Sequence, residues 1–493
     1  MESLSDTLWD VVICGTGLQQ SLLALALSRS GKKILHIDPN EFYGGAEAAL
    51  SLQDAESWVA GFSDGSRGHF RSASITRTEG ASGLSPPRAY SLALAPQLIH
   101  ARSALLSQLV SSRAYRQLEF LAVGSFYIFN QPQESAQEPG LARIPSTREE
   151  VFSTTAVSAK DKRLLMKFLK FVVDYESSPQ LETWQASADS PLVDFLHKEF
   201  RMGPELQTYI VTLTLSLDGK ISTRDGLAVI RRHLSSMGVY GPGFAAIYPK
   251  WGGLSEIAQV SCRAGAVGGA VYMLGTGIAA METAEDEVKL QLTSGDSIRT
   301  RMLVRSDDSP NSKTGISRLV AVVGSPFTSL FEAVVEGAPR PAVALIAFPA
   351  GSLSTAAGEV SEYPVYLSVH SGETGECPLG QSVLYLTTLT TTNSKELLER
   401  ALEAFIRVAG GAEAPQILFR LQYEQLAGAD SASVEGSILT FPTPSPSLAF
   451  NDSVLEPVRE MWTKVMGEAA AETQYMVFED RAGAVDDDDD AYE

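Results

Sequence analysis

WDVVICGTGLQQSLLALALSRSGKKILHID, running from Trp9 to Asp38, is the stretch that decides the fold. Asp10-Val11-Val12-Ile13-Cys14 is apolar enough for a buried strand, Gly15-Thr16-Gly17 forms a tight turn, and Leu18 to Ser30 has the composition of a helix. Lys33 to Asp38 returns as a second strand and closes on an acidic residue. Together they make a dinucleotide-type βαβ unit of about 30 residues. The pattern breaks at one place. Gln20 stands where the third glycine of G-x-G-x-x-G would let helix and strand pack closely. Gly15, Gly17, Gln20 and Asp38 therefore read as a degenerate nucleotide motif, a scaffold whose ligand is no longer expected.

The chain of 493 residues has room for two or three domains. Its 44% hydrophobic and 20% charged content is that of a soluble globular protein rather than a disordered one. There is no N-terminal signal pattern, and the apolar run Leu22 to Leu27 is too short to span a bilayer. A net charge of −20 argues against nucleic acid and against adhesion to anionic membranes through a basic surface. Part of that charge lies in Asp486 to Asp490, which suits a solvated tail or a partner with a basic face. Cys14, Cys262 and Cys377 show neither metal spacing nor a disulfide framework, as expected in a reducing compartment. None lies near the C-terminus, where it could be prenylated. The six histidines are scattered, and no G-x-S-x-G elbow or phosphate loop appears, which weakens the case for an enzyme.

Along the chain, Gly61 to Pro87 is rich in Gly, Ser and Arg and reads as a mobile surface loop. Gln97 to Val110 reads as a helix with Leu98, Leu105, Leu106 and Leu109 on its apolar side, Leu118 to Phe129 as a strand, and Gln131 to Gly140 as a polar linker. From Ile144 to about Leu234 the texture is helical. Leu164, Leu165, Phe168, Leu169 and Val172 form one stripe, and Leu206, Tyr209, Ile210, Leu213 and Leu217 another. These faces suit either mutual packing or a groove for lipid. Leu254 to Ala266 is a further helix, with Glu256, Gln259 and Arg263 at i, i+3 and i+7 projecting from one face. Val271 to Leu274 follows as a strand, and Val288 to Leu292 and Met302 to Val304 are expected in a second sheet. Strands at 343–347, 365–369, 383–389 and 417–423 accompany a helix from Ser394 to Val408. Phe441 to Pro446 must be extended, and a last helix is expected to begin at Pro457. The fold class is α/β, a Rossmann domain with an additional sheet and an inserted all-α domain. The expected organisation is a first part of domain I at 1–142, a helical domain at 143–236, a second part of domain I at 237–480, and an acidic disordered tail at 481–493.

Gly15-Thr16-Gly17-Leu18, Gly31 to Asp38, Tyr43-Gly44-Gly45, Gly124-Ser125-Phe126, Ile144-Pro145-Ser146-Thr147 and Tyr248 to Leu274 occur in an order that resembles the Rab escort proteins and their relatives, the Rab GDP-dissociation inhibitors. The likeness spans Trp9 to Val304 and is diffuse beyond Gly315. Trp58 resembles the escort branch, and so does the Pro-rich stretch Phe441 to Phe450, which is similar to its fungal form. The resemblance implies a flavoprotein-like domain that lacks flavin, plus a helical domain II. It also implies a cytosolic, non-catalytic accessory component that binds GDP-bound Rab GTPases and presents them to the Rab geranylgeranyltransferase α/β heterodimer. Such a protein covers the geranylgeranyl lipid and reaches membranes transiently.

By the same resemblance the Rab-binding platform maps to Tyr43, Glu256, Gln259, Arg263 and Met273. Pro39 and Val271 depart from the arginine and threonine of the inhibitors. The Rab C-terminal tail is expected near Leu98, Leu105 and Leu109. The lipid is expected at Phe168, Leu169, Val172, Leu206, Tyr209 and Leu213, and the transferase on the helices from Arg201 to Leu217. Two other readings stand beside this one. The first is a Rab GDP-dissociation inhibitor. The second is an FAD-dependent oxidoreductase of the amine-oxidase kind, resting on Gly15, Gly17, Asp38, Gly44 and Gly45, with Gln20 against it.

Overall fold

The computed structural model describes residues 4–62, 66–78, 83–130, 139–145, 158–284, 287–307, 315–333, 336–411, 414–428, 431–443 and 445–479. Most of the linker 131–140, the Ser146-Thr147 part of the domain II motif, parts of the 61–87 stretch and the tail 481–493 lie outside the described residues. Val11–Cys14 and Ile34–Ile37 pair in parallel, Val12 opposite Leu35, with the helix Leu18–Leu27 between them in sequence. That helix is apolar from Leu22 onward, and every residue in it is buried, Gln19, Gln20 and Ser21 included. It sits between the core sheet and the helices Leu254–Val267 and Leu455–Met466. The sheet has six strands in the order 271–273, 34–37, 11–14, 303–306, 438–441, 433–435, parallel except at the last pair.

Leu303–Ser306 corrects the sequence reading. It belongs not to a second sheet but beside Val11–Cys14, Leu303 opposite Val12. Val288–Leu292 does lie in a separate four-stranded sheet, between Ser297–Thr300 and Ile278–Thr283. The largest sheet among the described residues has eleven strands and is built mainly from residues 315–426. Its core faces the helix Ser394–Ala409 on one side, through Leu398, Leu402 and Phe405, and an aromatic group of Trp58, Phe70 and Tyr423 on the other. The expected loop at 61–87 also needs correction. Phe70–Arg77 is a strand paired with Ile417–Leu426. Only Phe70 is fully buried there and polar residues face outward, so its composition is that of a loop.

The helix expected from Gln97 begins only at Ala104. Ile99–His100 is taken up as a strand against Ala246–Ile247, and the Ser103 hydroxyl caps the helix by accepting from the Leu105 N–H at 3.3 Å. The last helix likewise starts at Leu455, which places Pro457 in the first turn rather than at its first position. Among the described residues five helices (159–173, 180–185, 192–200, 204–214 and 223–236) form the inserted α unit around Phe168, Phe195, Phe200, Leu206 and Ile230. Among the described residues no helix is long and apolar enough to cross a membrane.

Candidate functional site

The degenerate nucleotide motif is filled from within. The carboxamide of Gln20 lies across the Gly15–Gly17 turn and donates a hydrogen bond to Ser306 Oγ. At the first helix, whose N–H groups would meet a pyrophosphate, Glu47 Oε2 accepts the Leu18 N–H at 3.3 Å. Asp38, which would hold a ribose, accepts from Thr16 N and Thr16 Oγ1 at 2.7 Å each through one oxygen. Its other oxygen takes Asn40 N at 2.7 Å. A cleft of about 770 Å³ remains beside the turn, and Asp38, Asp307 and Glu435 outnumber Arg305 along it. Such a lining repels phosphate, so the residues present do not fit a dinucleotide cofactor.

The motif instead shapes the neighbouring surface. Thr16, held by Asp38, accepts the Gly44 N–H on both its hydroxyl and its carbonyl oxygen, at 3.1 Å each. Gly44 adopts φ +105°, and a Cβ there would lie 2.8 Å from Ala48 Cα. This fixes the chain at Tyr43. The helix Leu254–Val267 then brings the other residues alongside. Its buried side packs on the first helix, closely enough that a Cβ at Gly268 would collide with the Ser28 carbonyl. Arg263 is exposed, and Glu256 and Gln259 are half-buried on the outer side. Met273 follows on a strand in register with Ile37, its carbonyl accepting the Asp38 N–H at 3.0 Å.

The electrostatics agree with that grouping. Burial pushes the Glu256 carboxyl up, and Arg263 opposes the shift. Burial also raises the Tyr43 phenol, with Cys262 and Asp38 adding to the rise and Arg263 opposing it. Tyr43, Glu256 and Arg263 thus share one field. Helical spacing and the adjoining strand add Gln259 and Met273.

The structure divides the residues expected to face lipid and places those expected near the tail in the core. An apolar cavity of about 240 Å³ lies at the seam between the helical unit and the rest. Leu169, Leu206, Tyr209 and Leu213 line it, facing Phe126, Ile144 and Phe244. Phe168 and Val172 do not, because they are fully buried in the core of the helical unit. Leu98, Leu105 and Leu109 are also core residues, and Leu105 and Leu109 are 0% and 1% exposed. On the helix Ala104–Ser111 the large apolar side chain that faces outward is Val110. Sequence reasoning missed Glu47, for which a short 3-10 turn after the double glycine gave no signal, and His233, which also lines the cavity.

Residues 5–328 match the model of the family described as GDP dissociation inhibitor. The chain belongs to that family. It is 32% identical over 405 residues to a Saccharomyces cerevisiae Rab proteins geranylgeranyltransferase component A, covering 80% of this chain and 64% of that one. A Candida albicans protein of the same description is 30% identical, with 80% and 61% covered. The chain therefore spans somewhat less than two thirds of the length of these two relatives. An Arabidopsis thaliana Rab escort protein 1 is 24% identical, covering 93% of this chain and 92% of that one. The fold matches a Plasmodium falciparum Rab GDI at TM-score 0.66 and 19% identity over 93% of this chain and 98% of that one. It also matches a Methanosarcina mazei oxidoreductase at TM-score 0.57 and 12% identity, covering 92% and 99%. A GDP dissociation inhibitor family member thus keeps the architecture of an oxidoreductase while Glu47 and Gln20 fill its nucleotide turn.

Proposed function

We propose that this protein is a Rab escort protein, a non-catalytic component of Rab geranylgeranyltransferase. On this reading it binds GDP-bound Rab GTPases, presents them to the transferase heterodimer and shields the geranylgeranyl lipid on the way to a membrane. It works from the cytosol and carries no flavin. The observation that carries the reading is the joint surface of Tyr43, Glu256, Gln259, Arg263 and Met273, with an apolar cavity in the same chain. The surface is the GTPase platform, and its charged pair suits a polar, reversible interface. Leu169, Leu206, Tyr209 and Leu213 are the lipid-facing residues. At about 240 Å³ the cavity is smaller than the ~300 Å³ at which small-molecule pockets begin, so a twenty-carbon chain enters only as the helical unit and the main body part. Burying that chain is worth about 0.8 kcal/mol per CH₂.

Prenylation of an unprenylated, GDP-loaded Rab by the transferase heterodimer, with and without this protein, tests the proposal. Lipid transfer should depend on the protein, and Arg263→Ala should weaken it. Binding of Rab without support of prenylation would assign the protein to the inhibitor branch instead.

A further inference from the structure

We propose that Trp251 is a contact residue for the GTPase and extends the platform past the N-terminus of the helix Leu254–Val267; this rests on the platform reading above. Of the five tryptophans, Trp9, Trp58, Trp184 and Trp462 are at most 7% exposed, whereas Trp251 is 44% exposed. A large ring left in water is unusual unless it has a partner.

The fold holds this ring out rather than merely failing to cover it. Trp251 adopts φ +66°, a left-handed conformation that a non-glycine residue avoids. Its N–H donates to Thr374 O at 2.8 Å, and its carbonyl accepts from Ser91 Oγ at 2.9 Å. Gly375 lies against the ring where any side chain would collide with it. Lys250 Nζ stands 4.7 Å from the ring centroid and is itself held by Glu119 at 2.9 Å. Below the turn, Tyr248 OH donates to the buried Glu376 at 2.7 Å, and Gly253 fits flush against that hydroxyl. His370 and Tyr385 donate to the other Glu376 oxygen, at 2.7 and 3.0 Å. A ring fixed in this way loses little conformational entropy when a partner covers it.

Its position continues the platform. Gly44, next to Tyr43, packs on Ser255 in the first turn of the helix, and Gly252 packs on Ala49 and Ser91. The segment from Tyr43 to Ala49 therefore runs past the helix start, with Tyr43 at one end and the Trp251 turn at the other. Leu379, 75% exposed on the loop that cradles the ring, adds a second apolar side chain. The surface matches an apolar or aromatic side chain of the GTPase, flanked by groups that pair with Lys250, Glu256 and Arg263.

The test titrates the full chain with unprenylated, GDP-loaded Rab, comparing wild type, Trp251→Ala, Trp251→Phe and Arg263→Ala. Acrylamide quenching of tryptophan emission is recorded free and bound. Trp251→Ala should weaken binding about tenfold or more while Trp251→Phe retains most of it. Complex formation should protect a quenchable fraction in wild type that is missing in Trp251→Phe. If Arg263→Ala weakens binding but Trp251→Ala does not, and quenching is unchanged, Trp251 lies outside the interface and this inference is wrong. If wild type does not bind, or Arg263→Ala has no effect, the platform reading itself fails and takes this one with it. Should Trp251→Ala melt early, the quenching difference between wild type and Trp251→Phe decides alone.

Discussion

Glu47 reaches across the loop that follows the double glycine and accepts the Leu18 backbone N–H, so a side chain of the protein stands where a phosphate oxygen would be held. Burial pushes this carboxyl up to about 7, from an ordinary 4.5. The folded protein keeps a proton that the unfolded chain releases. Stability therefore declines as pH rises from 4.5, and the decline is complete a little above pH 7. Glu47→Gln should melt higher than wild type at pH 8 and lose that advantage by pH 4.5. Glu47 as a residue is half-buried, so the effect is on the order of 1–2 kcal/mol. Thermal melts at both pH values check it, and a difference that does not vary with pH would rule out a protonated Glu47.

Three histidines act in the opposite direction. Burial lowers His36 and His233 to about 4, and burial with the neighbouring His233 and Arg232 lowers His100 to about 3. Each folded pKa lies below the unfolded 6.5, so the unfolded chain takes up protons first as pH falls. Stability is full above pH 6.5 and drops toward pH 4, by on the order of 2 kcal/mol for each imidazole at pH 5. His233→Leu should make the melting temperature less steep between pH 6.5 and 5. An unaltered slope would mean that His233 is not buried as the neutral form.

Gly44 and Gly31 separate two costs of a side chain at positive φ. Both are left-handed, but a Cβ on Gly31 meets nothing within 4 Å, whereas one on Gly44 meets Ala48 Cα at 2.8 Å. Gly31→Ala should cost about 1 kcal/mol and leave Rab binding alone. Gly44→Ala should cost on the order of 2–3 kcal/mol and weaken Rab binding through Tyr43. Denaturant titrations with a binding assay report both, and equal costs would show that the loop yields.

The cavity can be closed without touching the platform. Leu213→Trp places a larger ring in its lining, on a helix remote in sequence from Tyr43 and Arg263. Affinity for a fluorescent geranylgeranyl peptide should fall about tenfold or more, while unprenylated Rab binds as before. Loss of both would point to a general effect on the fold; loss of neither would remove the cavity from the lipid path.

The opening βαβ unit and the outer face of the Leu254–Val267 helix were legible in the sequence because each is written in local periodicity. Leu303–Ser306 was not: its partner Val11–Cys14 is far away in the chain, and nothing in either strand names the other. The apolar stripe at Leu105 and Leu109 was read correctly as a stripe, but a stripe cannot show whether core or peptide covers it. Phe70–Arg77 looked like a loop because an edge strand with one solvated face needs few apolar residues. The helices Gln180–Gln185 and Leu192–Phe200 fall inside the stretch read as helical, but the sequence does not mark them off individually, because they are short and each follows a proline, Pro179 and Pro191.

The order of strands in the parallel sheet has a consequence for synthesis. Val11–Cys14 emerges first, yet its neighbour Leu303–Ser306, and the strand Ile438–Phe441 beyond it, are translated only after the whole helical unit. Until then one side of the opening unit has no strand to cover it, and its exposed edge is a place for unwanted pairing. The α unit closes its own core within residues 159–236 and can fold while the ribosome is still working. The nascent chain thus resembles a clasp that shuts last at its first-made end, and a truncation before residue 441 would leave it open.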